Sequence, residues 1–239
     1  MRSLYIHIPF CNRICTYCDF NKFLIKNQPV DAYLDALIKE LGTISEKEIY
    51  TVFIGGGTPT ALSGKQLERL LKYISDRFVI TSEFTVEANP DELTTDKIAI
   101  MKRYGVNRLS LGVQTFNNRL LKSLGRTHVE SDIKRAVDEA NRLGIESVSI
   151  DLMYHLPTQT LEECQYDLEQ AVQLNINHIS SYSLILEPKT QFYNLYKKGM
   201  LQMPDETLAQ DMYEYTMRFL AEHGFHPVSY THLRAHETE

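Results

Sequence analysis

The sequence has little of what a membrane or nucleic-acid-binding protein needs. No apolar run in its 239 residues approaches the ~20 that a bilayer span requires. Basic residues are also fewer than acidic ones, with 25 lysines and arginines against 31 acidic residues and a formal net charge of −6. This charge balance argues against a nucleic acid as the partner. The first residues lack the design of a signal peptide. We therefore expect a cytoplasmic globular protein with no transmembrane segment, long enough for one large domain or two small ones.

Cysteine is scarce, and three of the four in the chain lie within eight residues, at Cys11, Cys15 and Cys18. Such crowding does not suit the disulfide framework of a secreted protein, which supports a reducing cytoplasm. Three thiolates in one loop suit a four-iron, four-sulfur (4Fe-4S) cubane that leaves one iron without a protein ligand. A small molecule can chelate that vacant iron.

A structural zinc site is the alternative use of these cysteines. Zinc normally takes four protein ligands at finger-like spacing. The remaining cysteine, Cys164, is expected in the core because it lies on the apolar face of a predicted helix. His7 is poorly placed as a fourth ligand, in a strand two positions before a proline. The zinc alternative stays open but is weaker than the cluster.

Short apolar strands alternate with amphipathic helices through most of the chain. Two capping boxes, Ser63 with Gln66 and Thr160 with Glu163, mark the starts of two of the helices. Six strands are predicted, at 4–8, 50–54, 83–86, 108–111, 147–150 and 179–184. This alternation predicts right-handed βαβ units and a parallel sheet. Because a closed barrel needs eight units, we expect an α/β fold that is either a partial, open barrel or a doubly wound sheet.

The cysteine loop and its surroundings resemble the radical S-adenosylmethionine (SAM) superfamily. The run YIHIPFC at 5–11, followed by Cys15, Tyr17 and Cys18, is similar to the opening of these proteins, in the branch of oxygen-independent coproporphyrinogen oxidases and HemW-type haem chaperones. The resemblance extends to about Tyr230 and implies a partial (β/α)6 TIM-type barrel, open on one side. It assigns 1–186 to the radical SAM core and 187–230 to the start of a carboxy-terminal extension.

The resemblance also implies the cofactors and the chemistry. A 4Fe-4S cluster on the three cysteines would bind SAM through the amino and carboxylate groups of its methionine end. One electron, from a donor such as flavodoxin or ferredoxin, then breaks the S–C5′ bond and produces a 5′-deoxyadenosyl radical. The protein's part is to position the sulfonium and to exclude water and oxygen. The sequence identifies no catalytic side chain.

Three consecutive glycines begin a second motif, GGGTPT at 55–60. The motif follows a predicted strand and precedes a helix, and glycine lets a backbone approach a ligand closely. It lacks the Gly-Lys-Ser/Thr ending of a phosphate-binding P-loop. A tight turn alone would explain one glycine but hardly three. The resemblance implies that Gly56, Gly57 and Thr58 hold the methionine end of SAM.

Polar side chains follow three neighbouring strands at the point where each ends, at Glu87, Gln114 and Asp151. The carboxyl ends of parallel strands meet at one rim, which is where α/β folds bind ligands. A single polar residue there is usually a helix cap, but three in register with the cysteine loop favour a site. The resemblance places Glu87 near the ribose or amine of SAM, and Gln114 and Asp151 near a second ligand, which is a second SAM in the oxidase branch.

Other side chains join the site through the resemblance. Tyr5 and Tyr17 match cofactor-binding positions, and Tyr17 with Phe20 is expected to pack beside the cluster and the adenine. Arg126 matches a contact of the second ligand, although a solvated cation at a helix end is an equally good interpretation.

Phe20 bears on the choice between two functions. In the oxidase branch the cysteine motif carries a fourth cysteine two positions beyond the third, and here that position is Phe20, as in the haem chaperones. We therefore expect a protein that binds haem and delivers it to acceptor haemoproteins. The alternative is an enzyme that oxidatively decarboxylates two propionates of coproporphyrinogen III to vinyl groups. A zinc-stabilised binding module is a third and weaker alternative.

Two segments depart from the resembled family. His155 stands where its members usually carry glycine, and a tolerated substitution is a better interpretation than a haem ligand. The last residues, 231–239, neither continue the hydrophobic period nor resemble the family, so His232 and His236 are not expected to bind metal. We interpret this tail as foreign to the family and expect that a carboxy-terminal domain, which carries much of the porphyrin contact there, is missing.

Overall fold

The computed structural model describes residues 2–229 and 231–235, in which ten strands and eight α-helices mostly alternate through the middle of the chain. The strands are β1 (Ser3–Ile8), β2 (Phe10–Cys11), β3 (Phe23–Leu24), β4 (Glu48–Gly56), β5 (Val79–Ala88), β6 (Arg108–Gln114), β7 (Ser147–Tyr154), β8 (His178–Ser183), β9 (Phe225–Pro227) and β10 (His232–Ala235). The helices are α1 (Val30–Gly42), α2 (Gly64–Arg77), α3 (Thr95–Arg103), α4 (Asn118–Ser123), α5 (Glu130–Arg142), α6 (Leu161–Val172), α7 (Gln191–Lys197) and α8 (Glu206–Glu222).

Eight of the strands form one sheet in the order β1-β4-β5-β6-β7-β8-β10-β9. The first six are parallel neighbours, and β10 and β9 add antiparallel strands at one end. The sheet does not close, because β1 and β9 are its edges among the described strands. The predicted partial (β/α)6 barrel, open on one side, is therefore confirmed.

The helices that follow β4 to β7 begin and pack as their sequences predict. Both predicted capping boxes are present, Ser63 with Gln66 at the start of α2 and Thr160 with Glu163 at the start of α6. The buried face of α2 consists of Leu67, Leu70, Leu71 and Ile74, spaced for one stripe of a helix. These leucines join a single core with buried residues of the parallel strands. Cys164 is 4% exposed on α6, which confirms its predicted place in the core.

A second, smaller apolar cluster lies beneath the cysteine loop. Its buried members are Leu120, Leu124, Met153, Leu156, Leu184 and Phe192, and Tyr17 packs against it. Phe192 belongs to α7, and its backbone N–H donates to the carbonyl of Thr16 at 3.0 Å. The chain beyond 186 thus supports the cysteine loop directly. The predicted division between a core at 1–186 and an extension at 187–230 stays a prediction.

Part of the predicted tail lies on the sheet. His232–Ala235 pairs with β8, and Leu233 is 1% exposed in the main core. His232 Nδ1 lies 3.2 Å from Ser180 Oγ. Whether the tail is foreign to the family stays a prediction, and His236 lies outside the described residues.

None of the helices in the described ranges is long and apolar enough to cross a membrane.

We expect Leu67→Ala to lower the free energy of unfolding by about 2–5 kcal/mol, since it empties a fully buried position. Lys65→Ala on the same helix removes an exposed side chain and should change that free energy by less than about 0.5 kcal/mol. Urea denaturation followed by circular dichroism compares the two. Equal losses would contradict the packing described for α2.

Candidate functional site

A cavity of about 300 Å³ opens where the parallel strands end. Nearly every residue that the sequence predicts for the site lines it, namely Cys11, Cys15, Tyr17, Cys18, Gly56, Gly57, Thr58, Glu87, Gln114, Arg126 and Asp151. Tyr5 is the exception. It is 57% exposed on β1, and its hydroxyl lies 3.0 Å from Nδ1 of His7. Its assignment to the cofactor stays a prediction.

The three cysteines of the loop are free thiols that face the cavity. Cys11 is buried at the end of β2, and Thr58 Oγ1 donates to its sulfur at 3.6 Å. Burial raises the pKa of the Cys11 and Cys15 thiols. A metal centre would replace the protons that these buried thiols otherwise keep.

The set of donor atoms fits a 4Fe-4S cluster. Three thiols line one cavity, whereas zinc normally takes four protein ligands that converge on one point. In a cubane each thiolate binds a different iron, so three thiolates leave one iron for another ligand. The three thiols therefore suit a cluster, and a zinc ion would need a fourth ligand.

The cysteine loop is held in place by hydrogen bonds from three directions. The backbone N–H of Thr16 donates to Leu124 O and its hydroxyl donates to Ser123 O, both at 3.1 Å. Asn12 Nδ2 donates to Glu92 at 3.0 Å, and Lys22 Nζ donates to the carbonyl of Cys18. These hydrogen bonds fix the loop against the end of α4 and against Glu92, which follows β5.

The glycine loop packs directly on the backbone that enters the cysteine loop. The N–H groups of Gly57 and Thr58 donate to the carbonyls of Ile8 and Phe10, each at 2.8 Å. A Cβ on Gly57 would lie 2.7 Å from Phe10 O, and Gly56 has a φ of +113°, so neither position accepts a larger residue. The N–H groups of Gly57 and Thr58 are therefore both engaged within the protein.

Two carboxyl groups lie in the cavity wall, Glu87 at the carboxyl end of β5 and Asp151 within β7. Glu87 Oε2 accepts a hydrogen bond from Gly56 N–H at 3.0 Å. Burial raises the pKa of Glu87 to about 7, against the opposing effect of that hydrogen bond. Burial likewise raises the pKa of Asp151 to about 6. A cationic ligand would stabilise both carboxylates.

Gln114 is turned into the cavity by a local irregularity of β6. The register between β6 and β7 shifts between Leu111 and Gln114, and Gln114 has a φ of +70°. This conformation is rare outside glycine and is often found at functional sites. Gln114 is 2% exposed, and its Oε1 accepts a hydrogen bond from Tyr182 at 3.1 Å.

Arg126 lines the cavity and is partly buried, which excludes a solvated cation at a helix end. Its Nη1 donates to Asn89 Oδ1 and its Nη2 donates to Tyr17 Oη, both at 2.7 Å. The guanidinium also lies over the Tyr17 ring, 5.9 Å from its centroid. Arg126 therefore connects the rim of the sheet to the cysteine loop.

The sequence analysis does not predict several of the residues that line the cavity. Asn89 and Tyr182 lie in the wall of the cavity, and Ile185 and Glu187 follow β8 at its mouth. Tyr182 carries the same signal as the other strand-end residues, since it is a polar side chain near the end of the sixth predicted strand. His155 is not a lining residue. Its φ of +59° explains a preference for glycine, and its Nε2 lies 3.0 Å from Pro204 O.

Comparison with known proteins identifies the class of this site. Residues 5–171 match the family model of the Radical SAM superfamily. This match covers more than half of the chain, so the chain belongs to that superfamily. Membership implies a 4Fe-4S cluster and SAM as cofactors.

Particular relatives narrow the comparison. The haem chaperone HemW of Bacillus subtilis is 48% identical over 233 residues, which are 95% of this chain and 62% of the relative. HemW of Escherichia coli is 41% identical over 230 residues, 93% of this chain and 60% of the relative. Coproporphyrinogen III oxidase (HemN) from Escherichia coli has a TM-score of 0.88 at 30% identity, covering 98% of this chain and 55% of that chain. The chain spans about 60% of the length of the curated relatives it matches.

We expect SAM to bind the reconstituted protein roughly tenfold more weakly at pH 6 than at pH 7.5, because Glu87 loses its negative charge below its raised pKa of about 7. Asp151, with a pKa of about 6, adds a smaller loss in the same direction. Anaerobic calorimetric titration measures the affinity at each pH. Glu87→Gln should bind SAM weakly with a flatter pH dependence, and an unchanged slope in that variant would refute the role of Glu87.

Proposed function

We propose that this chain is the radical SAM part of a HemW-type haem chaperone. Cys11, Cys15 and Cys18 hold the 4Fe-4S cluster, SAM occupies the cavity beside it, and haem binds at the cavity mouth. The observation that carries the proposal is the convergence of the three thiols, the glycine loop and the strand-end carboxyls on one cavity. The naming of relatives at 48% and 41% identity as haem chaperones supports the choice of function.

The residues of the cavity divide the work of holding SAM. Carbonyl oxygens of the glycine loop, around Gly56 and Gly57, accept hydrogen bonds from the amino group of its methionine end. The carboxylate of Glu87 stabilises the positive charge of SAM. When bound, the reduced cluster supplies the electron that cleaves the S–C5′ bond of SAM. A second SAM, toward Gln114, Arg126 and Asp151, remains part of this proposal.

The cavity mouth has the chemistry of a haem-binding surface. Three exposed apolar side chains surround it, Ile14 at 37%, Phe20 at 67% and Ile185 at 68% exposure. Arg13 and Lys22 line the same mouth and carry charges that suit two propionates. Small-molecule pockets span roughly 300–1,000 Å³, so this cavity of about 300 Å³ suits a ligand smaller than haem and leaves the macrocycle outside.

Asp19 and Glu187 line the mouth beside the two cations, so its formal charges balance. The electron donor, a flavodoxin or ferredoxin, and the haemoprotein acceptor complete the proposal as partners. A cytoplasmic location stays a prediction from the free cysteines.

One observation favours the second candidate, anaerobic coproporphyrinogen III dehydrogenase. The structure superposes on the Escherichia coli oxidase with a TM-score of 0.88. Phe20, at the position of the fourth cysteine in that branch, is the residue that argues against it. Anaerobic incubation with coproporphyrinogen, SAM and a reductant distinguishes the two functions. Turnover to the vinyl product would show that the chain acts as the dehydrogenase and would contradict the chaperone proposal.

We expect anaerobic reconstitution to give about four irons and four sulfides per chain. Serine at Cys11, Cys15 or Cys18 removes a thiolate ligand and should abolish most of this content. Cys164→Ser is the matched control, because Cys164 lies in the core away from the loop, and it should keep the cluster. Iron and sulfide assays with the ultraviolet–visible spectrum measure the outcome. Stoichiometric zinc without sulfide in the unaltered chain would refute both radical SAM functions.

We expect Phe20→Ser to weaken haem binding at least tenfold, since covering a phenylalanine contributes about 1.5–3 kcal/mol. The matched control is Phe23→Ser, because Phe23 is 52% exposed on β3 but does not line the mouth. Absorbance titration with ferric haem measures the affinity. Equal losses of haem affinity in the two variants, or no loss in Phe20→Ser, would contradict the proposal that haem binds at the cavity mouth.

A further inference from the structure

The guanidinium of Arg126 has no acidic partner in the part of the chain that the structure describes. Its two hydrogen-bond acceptors, Asn89 Oδ1 and Tyr17 Oη, are neutral groups. Its Nε is buried and has no hydrogen-bond partner. A positive charge that is withdrawn from water without a counter-charge is costly. The position is therefore built for a negative charge that a bound group brings.

The cysteine loop lies directly against this cation. Gly125 packs on the loop so closely that a Cβ there would lie 3.6 Å from Cys15 Cα and 3.4 Å from Thr16 N. Tyr17, which accepts the hydrogen bond of Arg126, stands between Cys15 and Cys18 in the loop. The hydrogen bond to Tyr17 therefore places the positive charge beside the segment that carries Cys15 and Cys18.

Two carboxyl groups, Asp151 and Glu87, line the same cavity, but neither forms a hydrogen bond with Arg126 among the described residues. Asp151 is close enough for the guanidinium to oppose the rise that burial causes in its pKa. Lys22 adds a further cation at the loop, where it donates to the carbonyl of Cys18. Two cations, Arg126 and Lys22, thus lie at the part of the loop that holds Cys15 and Cys18.

We infer that Arg126 is the counter-charge of the cluster and raises its reduction potential, an inference that rests on the proposed cluster site. Three thiolates and a 4Fe-4S core of charge +2 give a net negative centre, and reduction adds one more negative charge. A nearby positive charge stabilises the reduced form more than the oxidised form. Arg126 is thus a positioning residue for electron transfer, in addition to the contact with a second SAM proposed above.

Redox titration of the reconstituted full chain, without SAM or haem, tests this inference. The signal of the reduced cluster in electron paramagnetic resonance gives the midpoint potential. For Arg126→Gln we expect the ratio of reduced to oxidised cluster at a fixed potential to fall about tenfold, a shift of about −59 mV for a one-electron couple. Arg126→Lys keeps the charge and should stay within about twofold of the unaltered chain. Tyr17→Phe keeps the charge but loses the acceptor hydroxyl, and should also keep the potential.

Each outcome decides the inference. A loaded Arg126→Gln protein that titrates at the unaltered potential overturns it and leaves the proposed function intact. If Arg126→Gln fails to retain iron and sulfide while Arg126→Lys retains both, the charge is required for cluster assembly, and the inference about the reduction potential is overturned. If both variants fail to assemble the cluster, the shape of the guanidinium and not its charge is needed, and the inference is wrong. If the unaltered chain takes up no iron and sulfide, the proposed function itself fails.

Discussion

The site depends on direct backbone contact between the glycine loop and the strand that leads into the cysteines. Gly57 and Thr58 donate to carbonyls on either side of Pro9, and the N–H of Gly56 holds the carboxyl of Glu87. Only glycine permits this approach at 56 and 57. One short loop therefore fixes the first cysteine and a strand-end carboxyl relative to each other. Binding groups that are already positioned lose less conformational entropy when a ligand arrives.

The charged groups of the cavity suit charged ligands, and burying them without those ligands lowers the stability of the empty protein. Burial holds the pKa of Glu87 at about 7 and that of Asp151 at about 6, so ionising either group in the empty cavity costs free energy. Arg126 carries a cation whose hydrogen-bond partners are neutral. A sulfonium with an amino group and a negatively charged cluster supply opposite charges for both kinds of group. Functional sites commonly concentrate perturbed groups of this kind.

Sequence reasoning predicts the six parallel strands and two capping boxes because periodicity and caps are local signals. It also predicts that Glu87, Gln114 and Asp151 meet at one rim, since parallel strands end together. The link from Asn89 through Arg126 to Tyr17 is not predictable in this way, because it joins residues more than 30 positions apart through side-chain conformation. The pairing of β10 with β8 is equally non-local, and no periodic pattern in four residues announces it.

Phe20 gives the interior and the mouth of the cavity different chemistry. A cysteine at 20 would add a thiol to a region that already holds three, whereas phenylalanine adds apolar surface next to Ile14 and Ile185. Single exposed apolar residues are ordinary on protein surfaces, but a group of them at the mouth of a cavity lined by charged groups indicates a surface that becomes covered. A flat macrocycle at this mouth would also exclude water from the cavity beneath it. Covering the mouth would therefore strengthen every charge interaction inside, so that haem at Phe20 and SAM at Glu87 would favour each other's binding.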